Sequence, residues 1–351
     1  MRDPDSDDDE DRYAEYLPRH RPDSRGSRPR TKTRPQHLDA VTGFVIAVDR
    51  GRYRCVVDQG RDSERLVSAS RARELRTQAI VTGDLVDLVG DTSGSQGSLG
   101  RIVRIHERST VLRRSGDDSD TLERIIVANA DQLLMVVAAA SPEPRLRLID
   151  RYIVAALDAG LTPILCVTKT DLATPELLRD YAHTLHIAAV ERSPENPARE
   201  DLVALLRDHV TVLVGHSGVG KSTLVNDLVP GADRAVGVVN DVTGRGRHTS
   251  SSSSALALPE GGWVIDTPGV RSFGLGHVSS DSIIQGFPEL SELVGHCPKA
   301  CPHTAATSDC EISRAVESGE LSDFDVARAH SLQRLLGTIH DISDEDRKSV
   351  V

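Results

Sequence analysis

No stretch of this sequence stays apolar for long. A helix that crosses a bilayer needs about 20 consecutive apolar residues. Nothing in these 351 residues approaches that, and the longest run, around 133–140, reads as a buried strand. A membrane role is not expected. No secretory leader is expected at the start of the chain either. Cysteine is scarce, with Cys55, Cys166, Cys297, Cys301 and Cys310 the full set. Without a leader, a disulfide framework is not expected. Positive charge is not in surplus: 42 Lys and Arg face 53 Asp and Glu, a formal charge of −11. That balance argues against wrapping nucleic acid with the whole surface, yet leaves room for a local basic face. The length suits two or three domains.

What is present is more specific. Gly215-His216-Ser217-Gly218-Val219-Gly220-Lys221-Ser222 fits G-x-x-x-x-G-K-[ST], the phosphate-binding loop of nucleoside-triphosphatases. Val210–Val214 before it reads as a buried strand, and Ser222-Thr223 through Val229 after it as a helix. Glycines let backbone N–H groups curl around a polyphosphate at a helix N-terminus. Lys221 adds a point charge, and Ser222 can place its hydroxyl on Mg²⁺. Thr168-Lys169-Thr170-Asp171 ends a second apolar run, Ile164–Val167. At the carboxyl end of a strand, Asp171 can accept two hydrogen bonds from guanine N1–H and N2–H₂, donors that adenine lacks there. A helix-capping Asp171 is the alternative. Asp266-Thr267-Pro268-Gly269 follows Trp263–Ile265 and matches D-x-x-G. Its Asp would reach Mg²⁺ through water, and the Gly269 N–H the γ-phosphate. Ala255–Leu258, a Pro259–Gly262 turn and Trp263–Ile265 read as a hairpin. Gly-rich, basic Thr243–Ser250 reads as a first switch loop, with Thr249 sensing γ-phosphate and Mg²⁺. A plain Ser-rich loop is the alternative there.

The order of these strings is itself informative. An ordinary GTPase runs phosphate loop, switch, D-x-x-G, base motif. Here the base motif comes first and D-x-x-G last, a circular permutation, tolerable because domain termini lie close together. The chain beyond Gly269 is then pulled when the D-x-x-G segment changes state. That part of the chain carries Cys297, Cys301, His303 and Cys310, spaced C-x3-C-x-H-x6-C. Four soft ligands so close fit a closed, structural zinc site, with His296 an alternative to His303. Cys166 reads as a core residue, and His277 and His330 as ordinary surface or packing residues. Spacing from 311 to 340 predicts one or two helices on the zinc knuckle, capped near 322–323.

Before the GTPase strings, residues 38 to about 112 hold short apolar runs divided by Gly and Asp, which suggests a small barrel of OB type. Arg52, Arg54, Arg101, Arg104, Arg108, Arg113 and Arg114 could form a charged face on it; a merely solvated side is the alternative. Residues 1–36 hold an acidic block, then a basic one, and cannot build a core. The basic half reads as an RNA arm or as a solubilising tail.

Barrel, permuted GTPase and zinc knuckle, in that order, resemble the bacterial ribosome small-subunit-dependent GTPase A family, also called RsgA or YjeQ. The residues that carry the resemblance are Ala128-Asn129-Ala130-Asp131-Gln132, Thr168–Asp171, Gly215–Thr223, Gly244-Arg245-Gly246-Arg247-His248-Thr249, Asp266–Gly269 and the Cys/His cluster. It implies a cytoplasmic, monomeric GTPase that binds the small ribosomal subunit and its rRNA, with slow hydrolysis of GTP to GDP stimulated by the subunit, in late subunit maturation. It also implies Mg²⁺ with GTP, one Zn²⁺, and His248 in place of a catalytic Gln, since Val270 holds that position. The implied division is a charged tail 1–37, a barrel 38–114, a GTPase domain 115–276, a zinc domain 277–340 and a flexible tail 341–351.

Three departures stand out. His186–Val190 lies where an S-A-x string usually backs the guanine. The first two zinc Cys are separated by three residues. Ser250–Ser254 replaces a Thr-rich stretch. Two other classes remain open: a GTP-regulated switch for protein partners, and an ATPase. Stimulation by small rather than large subunits separates the first, and nucleotide competition the second.

Overall fold

The computed structural model describes residues 37–115, 123–231, 253–267 and 278–348. Strands β1 (Val41–Asp49), β2 (Arg52–Val57), β3 (Arg65–Arg71), β4 (Leu85–Gly90) and β5 (Gly100–Ile105) come first. They pair in the order β1-β2-β3-β5-β4, and β4 returns to β1, closing the barrel. Only β3 and β5 run parallel, which is the OB-fold arrangement. Alternation explains it: Val45, Cys55, Val57, Val67, Ala69, Val86, Leu88 and Ile102 point inward and form one core.

The expected charged face is only partly present. Arg52 lies across from Ser70, and Ser70 across from Arg101, on adjoining strands. Arg108 is turned inward instead, bonding buried Asp84 through Nε at 2.7 Å and Nη2 at 2.8 Å. Arg104 pairs with Asp87 at 3.3 Å. Arg113 and Arg114 lie outside the barrel, in a hairpin of β6 (Val111–Ser115) and β7 (Glu123–Ala128).

Next comes a sheet whose core strands are parallel. It comprises β8 (Gln132–Ala138), β9 (Thr162–Thr168), β10 (Ala188–Glu191), β11 (Val210–Val214), β12 (Ser254–Ala257) and β13 (Trp263–Asp266). The order is β10-β9-β8-β11-β13-β12, with β12 antiparallel to β13 as the predicted hairpin. A parallel sheet is covered on both faces, so its strands are apolar throughout. In β8, Leu133, Met135 and Val137 join one core, while Leu134, Val136 and Ala138 join the other. Helix α1 (Leu146–Asp158) and α2 (Glu176–Thr184) cover the first face. Helix α3 (Arg199–Leu206) and α4 (Lys221–Leu228) cover the second. Cys166 is buried there, as expected, and burial pushes its thiol up to about 12.

The last helices are α5 (Ser280–Ile284), α6 (Ser291–His296), α7 (Glu311–Ser318) and α8 (Asp323–Lys348). The cap predicted near 322 is present: Ser322 Oγ accepts from Asp325 N–H at 3.2 Å. Helix α8 continues to Lys348, so most of the segment expected as a flexible tail from 341 is helical; no Gly or Pro interrupts it there. Buried Arg328 fixes α8 to the GTPase core. It pairs with Glu289, donates to Thr184 O and Gly286 O at 3.1 Å each, and lies over the Phe287 ring. Arg334 Nε reaches both oxygens of buried Asp150 in α1, at 3.1 and 3.2 Å. Among the described residues no helix is long and apolar enough to cross a membrane.

Candidate nucleotide and metal sites

The three GTPase strings meet at the carboxyl edge of the parallel sheet, where open α/β sheets bind ligands. Gly215 leaves β11 so tightly against β8 that an added Cβ would lie 2.5 Å from Val136 O. Only glycine fits, and the loop is thereby set down in the middle of the sheet. Helix α4 starts at Lys221 behind Gly220, with no side-chain cap, so its first N–H groups remain open to an anion. Ser222 and Thr223 are exposed on that first turn. Lys221 Nζ lies 3.0 Å from Asp266 Oδ1 and 3.4 Å from Thr267 O, so phosphate loop and D-x-x-G strand face each other. Thr267 Oγ1 donates to Leu213 O at 2.7 Å, fixing β13's exit to β11.

The base motif is tied in as well. Thr168 Oγ1 donates to Val219 O in the phosphate loop at 2.6 Å. Lys169 donates to Ser141 O, and Thr170 Oγ1 to Arg192 O at 3.1 Å. Asp171 is exposed, and α2 starts only at Glu176, so the helix-capping alternative is removed. His216 folds back on its own loop, Nδ1 3.0 Å from Ser217 O.

The guanine-backing position differs from the expectation. Ala188–Glu191 is a sheet strand, paired in register with Ile164–Val167, so residues 186–190 do not form the edge loop. The residue beside Thr170 is Arg192. Sequence reading also missed what Ala128–Gln132 does. Asn129 Nδ2 donates to Gly83 O at 2.9 Å, and its Oδ1 accepts from Ser109 N–H at 2.8 Å. Ala128 N–H donates to Thr82 O, and a Cβ on Gly83 would lie 1.9 Å from Ala128 O. Asp131 accepts from Val210 N–H, and Gln132 from Thr211 Oγ1. The string is the joint between barrel and GTPase sheet. Its signal, short polar residues between two strands, had no visible partner in the sequence. The barrel also meets the hairpin: Ala47 pairs with Ser254, Thr82 Oγ1 donates to Ser253 O at 3.0 Å, and the Phe44 and Trp263 rings lie 5.1 Å apart.

The metal cluster forms as predicted. The ligand atoms of Cys297, Cys301, His303 and Cys310 all lie within 4.8 Å of one another. Two sulfurs 2.3 Å from a tetrahedral zinc sit about 3.8 Å apart. Here Cys297 Sγ and Cys310 Sγ are 3.9 Å apart, and Cys310 Sγ lies 3.8 Å from His303 Nδ1. The donor set therefore fits zinc. The x3 spacing is accommodated by a turn in which Cys301 N–H donates to Pro298 O, with Ala300 at φ 61. Burial, then the adjoining Cys310, pushes the Cys297 thiol up to about 11, against a Glu311 N–H that bonds its sulfur at 3.3 Å. A cation would reverse that and hold thiolates. His296 is exposed at the end of α6 and outside the cluster, and His330 is a surface residue. Thr243–Ser250, with His248 and Thr249, and Gly269, Val270, His277 and the 1–36 tail lie outside the described residues.

Comparison with known proteins gives one consistent answer. A family model described as RsgA GTPase matches residues 105–276. The "Small ribosomal subunit biogenesis GTPase RsgA" of Pseudomonas aeruginosa is 40% identical over 251 residues, 69% of this chain and 72% of that one. Its counterpart in Pseudomonas syringae pv. tomato is 38% identical over 289 residues, 80% and 81% of the two chains. YjeQ from Thermotoga maritima shares the fold at TM-score 0.62 and 23% identity, over 86% of this chain and 99% of its own. YloQ, described as a circularly permuted GTPase, does so at 0.62 and 24%, over 88% and 98%.

Proposed function

This chain belongs to the RsgA GTPase family, and from that premise we propose that it binds the small (30S) ribosomal subunit and assists its late maturation, hydrolysing GTP with stimulation by the subunit. The observation that carries the nucleotide half is the convergence at one sheet edge. Thr168 is bonded to the phosphate loop, and Lys221 faces Asp266 at 3.0 Å. Asp171 reads the guanine edge, Gly215–Thr223 cradles the phosphates, and Lys169 and Thr170 hold the base loop. Mg²⁺ with GTP would supply charge neutralisation at the phosphates. Ser222 and Thr249 would hold it directly, and Asp266 through water. Gly269 N–H would meet the γ-phosphate, and His248 would orient the attacking water. One Zn²⁺ on Cys297, Cys301, His303 and Cys310 serves folding, because four protein ligands leave no open position for chemistry.

The subunit half rests on the relatives' names and on the Arg52–Ser70–Arg101 row of the barrel, which suits rRNA phosphate. A cytoplasmic monomer fits that partner. The working division is a tail to 37, a barrel 38–114, a GTPase domain 115–276 and a zinc domain 277–340. The β6–β7 hairpin straddles the joint between barrel and GTPase domain. The test is GTP turnover alone, with purified small subunits and with large ones. Stimulation by small subunits only, lost in His248→Ala, is expected. Equal turnover in all three conditions rejects the proposal.

A further inference from the structure

A buried arginine that belongs to none of the recognised strings ties the base loop to the phosphate-loop helix. Arg192 follows β10. Its N–H donates to Val167 O at 2.8 Å, and its carbonyl accepts from Thr170 N–H at 3.3 Å and Thr170 Oγ1 at 3.1 Å. Its backbone thus braces the segment that carries Asp171. The side chain is only 8% exposed, and its Nη2 forms an ion pair with Asp227 in α4. Nη1 has no hydrogen-bond partner among the described residues. A guanidinium so deeply desolvated is tenable only with its charge matched, so the Asp227 carboxylate is what holds it there. Asp227 stands on the same short helix that begins at Lys221, so its position is rigidly linked to the phosphate loop.

We propose that the Arg192–Asp227 pair is a latch that keeps the base loop and the phosphate loop in fixed relation and thereby sets how long a guanine nucleotide stays bound. The inference rests on the reading of Asp171 and Lys221 as nucleotide contacts. A bound nucleotide spans both loops, its base in one and its phosphates in the other. With the loops locked, both ends must let go together. With the latch open, the base loop can swing away while the phosphates are still held, and release proceeds in two easier steps. Thr168 Oγ1 on Val219 O remains as a second tie, so opening the latch loosens the site without dismantling it. The side chains of Arg192 and Asp227 pair with each other, so both are assigned here as positioning residues that act through the base loop and α4.

Displacement of a fluorescent GDP from the full chain, followed by stopped flow, tests this. Asp227→Asn should speed release about tenfold, roughly one charge-assisted hydrogen bond, with the association rate little changed. Arg192→Lys keeps the charge without the fork and should give a smaller increase. The double variant should add nothing to Asp227→Asn alone. Ile283→Val, a buried truncation in α5, controls for general loss of stability and should leave release unaltered. Release from both latch variants within about twofold of the unaltered chain overturns the latch. Asp171→Asn is measured alongside. If it keeps full GDP affinity, the base-loop reading falls and the latch with it. If it loses affinity while the latch variants release normally, only the latch falls.

Discussion

Asp171 is exposed at the mouth of the site, and Lys221 is partly enclosed against Asp266. Exchanging the first for Asn swaps one acceptor for a donor that opposes guanine's own donors. GTP affinity should fall by about 3 kcal/mol or more, two bonds to a charged acceptor. Titration calorimetry checks it, and unchanged affinity would mean the base is read elsewhere. Strings of this kind are legible in a sequence because their geometry is local: the glycine-rich string does lie between β11 and α4, Thr168–Asp171 does leave β9, and the Cys/His cluster does come together. Arg192 and Asn129 were not legible. Their partners are 35 residues ahead, at Asp227, and 46 behind, at Gly83, and only the folded sheet brings them together. The misplaced guanine-backing segment has the same origin. Alignment by position alone did not reveal that Ala188–Glu191 would be taken up by pairing with β9.

Among the elements, the Cys/His knuckle and α8 depend on different forces. The knuckle between α6 and α7 has little apolar packing of its own, and Cys297 and Cys301 are only half-buried. Its order should come from the metal. Elemental analysis of reductively purified protein is expected to give about one zinc per chain. Cys301→Ser should lose that zinc and become protease-sensitive around 297–310. A metal-free preparation with an intact, protease-resistant C-terminus would refute the assignment. Helix α8 should stay in place through that loss, held by Arg328 and Arg334 on α2, α1 and the turn at Gly286. Nucleotide binding by Cys301→Ser should therefore survive. Helical periodicity made α7 and α8 visible in advance. Buried Arg328 was invisible, because a lone Arg on a helix reads as solvated.

For the whole molecule, the permutation implies that the chain after Gly269 is pulled directly when the D-x-x-G segment changes state. The described contacts add two other connections: α8 bolted to α1 and α2, and the barrel hydrogen-bonded to Ser253 and Ser254, where the hairpin begins. Loading with a non-hydrolysable GTP analogue should tighten binding to small subunits relative to GDP, and both affinities should weaken with salt as phosphate contacts require. Sedimentation with purified subunits measures this; identical affinities in the two nucleotide states would end the switch account while leaving the GTPase intact. The strand pairing between Ala47 and Ser254 has a further consequence, for solubility. Without the barrel, β12 would become a bare outer strand, and Trp263 would lose the Phe44 ring that covers it. A bare strand edge next to exposed aromatic surface invites other chains to pair with it. The barrel is thus also an edge guard. A piece trimmed to residues 106–348 loses only the barrel, keeps every described residue of the candidate nucleotide site, and should nonetheless clump, because nothing then shields the outer strand.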